Sequence, residues 1–177
     1  MNPTSDRPFY RLTVDFLPVP AAVGTLIIFV ILFAIALLAL SLPFGDALIG
    51  ALIGTALHWG LEFLHHLGHA YAAKRTGYPM QGVLVGMLGI LAMSVYPKTE
   101  PKLPGRIHIQ RALGGPIMSG LIGVVFLGLV LVTADRSDLL AWLLRLGLFE
   151  SLLMSVGALA PIPGVDGGTI RYWLRKG

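Results

Sequence analysis

The sequence predicts an all-α membrane protein of about four transmembrane helices. Three observations carry that prediction: composition, the length of the apolar blocks, and the placement of charge. Of 177 residues, 55% are hydrophobic and only 12% are charged, with a mean hydropathy of +0.79. A soluble domain carries about 25% charged residues, so too few remain here to clothe a water-facing surface. The apolar residues come in blocks that approach or exceed the roughly 20 residues needed to cross a hydrocarbon core.

The first block runs from Val23 to Leu42 and is closed by Pro43. An interfacial leader containing Phe9, Tyr10, Phe16 and Pro18 precedes it. The segment before it is too polar for the start of a cleavable signal peptide, and no small-residue cleavage site follows. Its large aliphatic residues surround the whole helix, which suits a lipid-facing span. The second block, Asp46 to Ala73, differs in kind because it carries His58, Glu62, His65, His66 and His69. Ionisable groups at membrane depth are costly and face a protein interior or a wet cavity. This is the functional helix of the chain.

Residues 77–104 form a Gly-rich connection whose glycines and flanking prolines suit a short β-hairpin or a re-entrant segment between helices two and three. The third span runs from Ile109 to Val132, with Gly114, Gly115, Pro116, Gly120 and Gly123 permitting close approach of a neighbouring helix. The fourth covers Leu139 to Leu159. It gives way to PIPGVDGG and then to a short basic surface helix over Thr169 to Lys176, in which Tyr172 and Trp173 read as interface anchors. No linker or repeat divides the chain, so a single integral membrane domain over residues 1–177 is expected.

Charge placement supports four crossings. Arg7 and Arg11 precede the first span, Lys74, Arg75, Lys98, Lys102, Arg106 and Arg111 crowd the middle connection, and Arg171, Arg175 and Lys176 follow the fourth. Both termini and the middle connection are therefore expected on the cytoplasmic side. The net charge of +4 belongs to this pattern, and nucleic acid is not an expected partner; the lipid bilayer and a second membrane protein are. Cysteine is absent, which excludes disulfides, thiolate nucleophiles and iron–sulfur or cysteine–zinc sites. Any metal must be held by His, Asp or Glu.

The chemistry concentrates in LEFLHHLGHA. His65 and His69 lie four residues apart on one helical face, so both imidazoles can reach one ion. That is the outer spacing of the H-E-x-x-H metal motif, but the sequence reads H-H-x-x-H, with His66 where the motif has its Glu. At 100° per residue His58 falls within about 20° of both His65 and His69, and Glu62 lies close to His66 and His69. His58 and Glu62 are candidates for an additional ligand or for orienting a ligating ring. A hydrogen-bonded polar seam without metal is the plainer alternative, and a single axial imidazole for haem or a chlorophyll-type pigment is another.

These segments resemble the site-2 protease family of intramembrane zinc metallopeptidases. FLHHLGHAYAAKRTG is similar to the family's first metal motif, GGPIMSG to its Gly-Pro element, and PIPGVDGG to its Asp-Gly motif; the likeness spans about residues 55–172. It implies zinc held by His65, His69 and Asp166, with His66 in the position of the catalytic base. It also gives Gly167, Gly168, Pro161 and Pro163 a role in turning the chain so that Asp166 reaches the metal. Three positions depart from the family pattern: His66 replaces the Glu, while Ala158 and Ser119 stand where the family commonly has Asn. A carboxylate beside a metal-bound water accepts its proton and passes it to the leaving amine. A neutral imidazole beside a divalent cation resists protonation, or joins as a fourth ligand that closes the site. The expectation is a metal-binding but catalytically silent or impaired relative, acting as a binding or structural subunit. An active intramembrane metalloprotease and a haem- or pigment-binding subunit are the alternatives.

Overall fold

A computed structural model describes residues 19–176. The leader with Phe9, Tyr10, Phe16 and Pro18 lies outside the described residues. The chain runs α1 (Val19–Ala34, continued by a π-helical turn Ile35–Ala39), α2 (Phe44–Arg75), β1 (Gly82–Gly86), a one-turn helix α3 (Met87–Ile90), β2 (Leu91–Val95), α4 (Gly105–Val132), α5 (Leu139–Ser155, followed by a 3-10 turn Gly157–Leu159) and α6 (Asp166–Lys176). Among the described residues, four segments are long and apolar enough to span a membrane: Ala21–Ala39, Phe44–Arg75, Gly105–Val132 and Leu139–Leu159. Their outward faces are bare hydrocarbon, with Leu38, Val132 and Val156 at 77%, 80% and 69% exposure. In water such faces would drive aggregation; in a bilayer they are the solvated surface.

Local chemistry sets the helix ends. Asp46 lies in the first turn of α2 and Lys74 and Arg75 in its last, each complementing the helix dipole. Just past its end Gly77 takes φ +81°, a left-handed conformation that terminates helices readily with glycine. The Asp138 side chain caps α5 by accepting from the Ala141 N–H at 3.1 Å. Residues 77–104 hold the expected hairpin: β1 and β2 pair antiparallel, with Val85 opposite Ala92 and Leu84 opposite Met93.

Small residues decide which helices touch. A Cβ on Gly68 would meet the Gly114 carbonyl oxygen at 2.3 Å, and one on Gly114 would meet the Gly68 carbonyl at 2.4 Å. The backbones of α2 and α4 therefore cross in direct contact. Trp142 of α5 fills the notch at Gly50, where a Cβ would lie 2.5 Å from the indole. Ile28, Leu32 and Ala51 form a buried cluster, with Phe29, Phe33, Trp59, Ile90, Trp142 and Leu146 packed against it. Trp59 donates its ring N–H to Thr25 at 3.1 Å, fixing α1 on α2. The α2–α4 crossing positions the polar centre.

Candidate metal centre

All five ionisable groups between His58 and His69 are buried, but they divide into two sets. His65, His69 and Asp166 form the first, with one ligand-capable atom from each lying within 4.8 Å of the others. The Nε2 atoms of His65 and His69 are 3.0 Å apart. Asp166 places Oδ2 3.4 Å from His65 Nε2 and Oδ1 3.4 Å from His69 Nε2. Thus α2 supplies two rings on one face, and the N-terminus of α6 brings in the carboxylate.

The opposite edges of the two rings are held by α4. His65 Nδ1 lies 2.9 Å from the Ser119 hydroxyl, and His69 Nδ1 lies 2.8 Å from the Arg111 carbonyl oxygen. A carbonyl can only accept, so at this shorter contact His69 donates through Nδ1, with the Gly115 N–H 3.2 Å from the same nitrogen, and in that tautomer Nε2 carries a lone pair. Ser119 can accept in the same way from His65. In those tautomers two nitrogen lone pairs and a carboxylate converge on one point, a donor set that a cation completes; without one, a proton on a ring Nε2 bonds the Asp166 carboxylate instead. Two imidazoles and a carboxylate are also a zinc donor set that leaves one coordination position for water. Gly115 supplies the space, since a Cβ there would meet His69 Nε2 at 2.3 Å and His65 Nε2 at 2.4 Å. The residues present fit a divalent ion. When bound, such an ion acts as a Lewis acid and acidifies a coordinated water.

The Gly114-Gly115-Pro116 run of α4 serves this centre at three successive positions. Gly114 permits the backbone contact with Gly68, Gly115 leaves room at the ring edges, and Pro116 lacks the N–H that would bond the Ala112 carbonyl. Asp166 reaches the rings because residues 160–165 fold back tightly. The left-handed position of that turn is Gly164, at φ +94°. Gly167 and Gly168 lie in the first turn of α6, one turn earlier than the sequence suggested for that helix. There a Cβ would meet the carbonyl oxygens of Leu159 at 2.1 Å and Ile162 at 2.0 Å. They admit close packing of the preceding chain, between and beside Pro161 and Pro163. Burial alone would raise the Asp166 carboxyl, but its hydrogen bonds to His65 and His69 outweigh this and hold it below the usual carboxylate range.

His66 lies beside this group without belonging to it. Its ring centre is 5.3 Å from that of His65 and 5.5 Å from that of His69. Nδ1 faces the Glu62 carbonyl oxygen at 2.8 Å, and the Glu62 carboxylate is 3.7 Å away. Nδ1 therefore donates along the helix and Nε2 keeps the lone pair. His58 and Glu62 turn elsewhere: His58 bonds Glu150 of α5 at 3.2 Å and the Ile90 carbonyl at 2.9 Å, and Glu62 accepts from the Ala92 N–H at 3.1 Å. Both sets open on a cavity of about 580 Å³ between β2 and α5, whose lining includes Met93, Ser94, Phe149, Leu153 and Ala158. Ala158 thus borders the cavity, whereas Ser119 faces the His65 ring.

Two partners of the buried polar groups, Glu150 and Arg111, were not singled out by sequence as such. Glu150 had a signal, being a carboxylate within an apolar span. Arg111 had one as a cation inside the third span. Ser119 was marked only as a departure from the family's Asn, and its hold on the His65 ring was not foreseen.

Fold and site together define a multi-span helical membrane protein in which α2 and α6, braced by α4, assemble a His/His/Asp metal-capable group. That class contains the proteins to which the chain is similar. Over 85 residues, 44% of this chain, it is 28% identical to a zinc metalloprotease of Methanocaldococcus jannaschii, covering 23% of that protein. The solved site-2 protease from the same organism matches 86% of the chain with a TM-score of 0.53 and 27% identity, and 65% of its own length is covered. The chain is site-2-protease-like in sequence and fold, and it carries a His/His/Asp metal-capable group. It spans under a quarter of the curated relative and just under two thirds of the solved one. No protein-family model matches the chain.

Proposed function

We propose that the chain is a metal-binding, catalytically silent or impaired relative of the site-2 proteases that serves as a binding or structural subunit of a membrane complex. The observation that carries this reading is an imidazole, His66, beside His65, His69 and Asp166 where the H-E-x-x-H motif supplies a carboxylate. A carboxylate gains from both the metal's field and the proton it accepts. A neutral imidazole gains a positive charge next to a divalent cation, which disfavours proton transfer. Zinc is the proposed ion, because two imidazoles and one carboxylate match its ligand preferences. Both termini and the middle connection are proposed to face the cytoplasm.

The test is metal content together with cleavage. Elemental analysis of tag-free protein, accompanied by an absorption spectrum, is expected to find about one zinc per chain and no haem or pigment band. His69→Ala should remove most of the zinc. The native protein is expected to leave transmembrane peptides intact, while H66E keeps the metal and gains measurable cleavage. Metal-dependent cleavage by the native protein that disappears in H69A would overturn silence and make His66 a working base. Metal far below stoichiometric in the native protein would remove the metal reading.

A further inference from the structure

His58 and Glu62 of α2, with Glu150 of α5, are not used by the metal centre, and each of them makes a contact that joins separate elements. His58 lies near the middle of α2, facing Glu150 of α5 with one ring nitrogen and the Ile90 carbonyl at the hairpin's turn with the other. Both partners in those contacts are acceptors when Glu150 is ionised, so the pair holds one proton beyond that of a neutral ring. One turn along the same helix, Glu62 accepts from the Ala92 N–H of β2. Ala92 stands opposite Val85 in the two-stranded sheet, yet its N–H points away from that strand to α2. A hairpin carried to the depth of His58 exposes backbone groups where the bilayer offers no water, and each must find an internal partner. Three ionisable groups buried at that depth likewise need partners. These two demands are met by the same contacts.

The geometry points to His58, Glu62 and Glu150 as positioning residues that strap β2 to α2 and α5 and so set the width of the cavity over the metal centre. The strap occupies the end of the cavity formed by β2 and α5. Releasing the Ile90 carbonyl and the Ala92 N–H would leave β2 held by its partner strand, its chain ends and the packing of Ile90 against the Ile28, Leu32 and Ala51 cluster. The cavity wall would then move as a unit. This inference does not depend on a bound metal.

The chain has no cysteine, so a single introduced pair reports on the wall directly. Met93→Cys on β2 and Phe149→Cys on α5 place spin labels on two partly exposed lining positions. Electron–electron double resonance on the full chain in lipid is expected to give one narrow distance distribution. H58A and E62A should each broaden it and shift it to longer distances. E62Q keeps an amide oxygen to accept the Ala92 N–H and should restore the narrow distribution. Ala92→Pro removes that donor without touching α2, at an edge position where proline can be accommodated, and should reproduce E62A. All four variants should keep the metal content of the native protein. Unchanged distances in E62A and A92P would overturn the strap. So would loss of metal in E62A with distances unchanged, which would move Glu62 into the metal centre.

Discussion

At the scale of single residues, the candidate metal centre depends on groups outside its His/His/Asp donor set. Ser119 and the Arg111 carbonyl hold the outer nitrogens of His65 and His69 and thereby direct the inner lone pairs inward. Ser119→Ala is expected to lower zinc affinity about 10–100-fold, the usual cost of losing such a partner, as measured by competition with a chromophoric chelator. Gly115→Ala should be at least as damaging, because its methyl group would enter the space at both Nε2 atoms. Equal affinity in G115A and the native protein would place the ion elsewhere. The Asp166 carboxyl adds a pH dependence in the metal-free protein. Its folded pKa is depressed, so its stabilisation is fully present above the unfolded value, near 4, and is lost as pH falls through the lower folded value. Denaturant titrations in detergent should show the gap between native and D166N proteins constant at neutral pH and closing below about pH 4.

At the scale of elements, α4 organises both the centre and the hairpin connection. Arg111 is 3% exposed, bonds the Glu100 carboxylate through both terminal nitrogens, reaches the Tyr78 carbonyl at 2.6 Å and lies 4.3 Å from the Tyr96 ring centre. The residue whose carbonyl orients His69 thus also gathers the connection around its own side chain. Removing one partner of a buried ion pair costs about 3–5 kcal/mol, whereas replacing both with apolar groups can be nearly neutral. Glu100→Ala should therefore destabilise by about that amount, and the double variant E100L/R111M by less. A double variant weaker than E100A would show that the Tyr78 and Tyr96 contacts, not the pair, dominate. The hairpin itself was legible from its glycines and prolines. Its anchoring was not, because His58 and Glu62 share the helical stripe of His65 and His69 and periodicity cannot separate them.

At the scale of the whole molecule, four crossings bring the end of α2 and the start of α6 to one side of the bilayer, as the His/His/Asp group requires. Cysteines introduced at Lys102, Asp135 and Arg175 in the cysteine-free chain test this. K102C and R175C are expected to react with an impermeant thiol reagent only from the cytoplasmic side, and D135C only from the opposite side. Reaction of D135C and K102C from the same side would break the four-span arrangement. The exposed aliphatic faces of the spans predict lipid contact over most of the perimeter, with Leu38, Val132 and Val156 among the most exposed.

The spans were readable from sequence to within a few residues of their ends, because transfer from water to hydrocarbon depends on local composition and length alone. The same holds for His65 and His69, whose spacing follows from helical geometry, while Asp166 was identified through its motif. Tertiary structure alone decided the division of labour among the buried polar groups. Ser119, the Arg111 carbonyl and Glu150 come from helices distant in the chain, and no periodicity relates them to α2. Whether a buried imidazole serves a metal or a strand depends on which acceptor stands opposite its second nitrogen. Here α4 stands opposite His65 and His69, whereas α5 and the hairpin stand opposite His58. That choice follows from the Gly68–Gly114 crossing, which sets which face of α2 meets which neighbour.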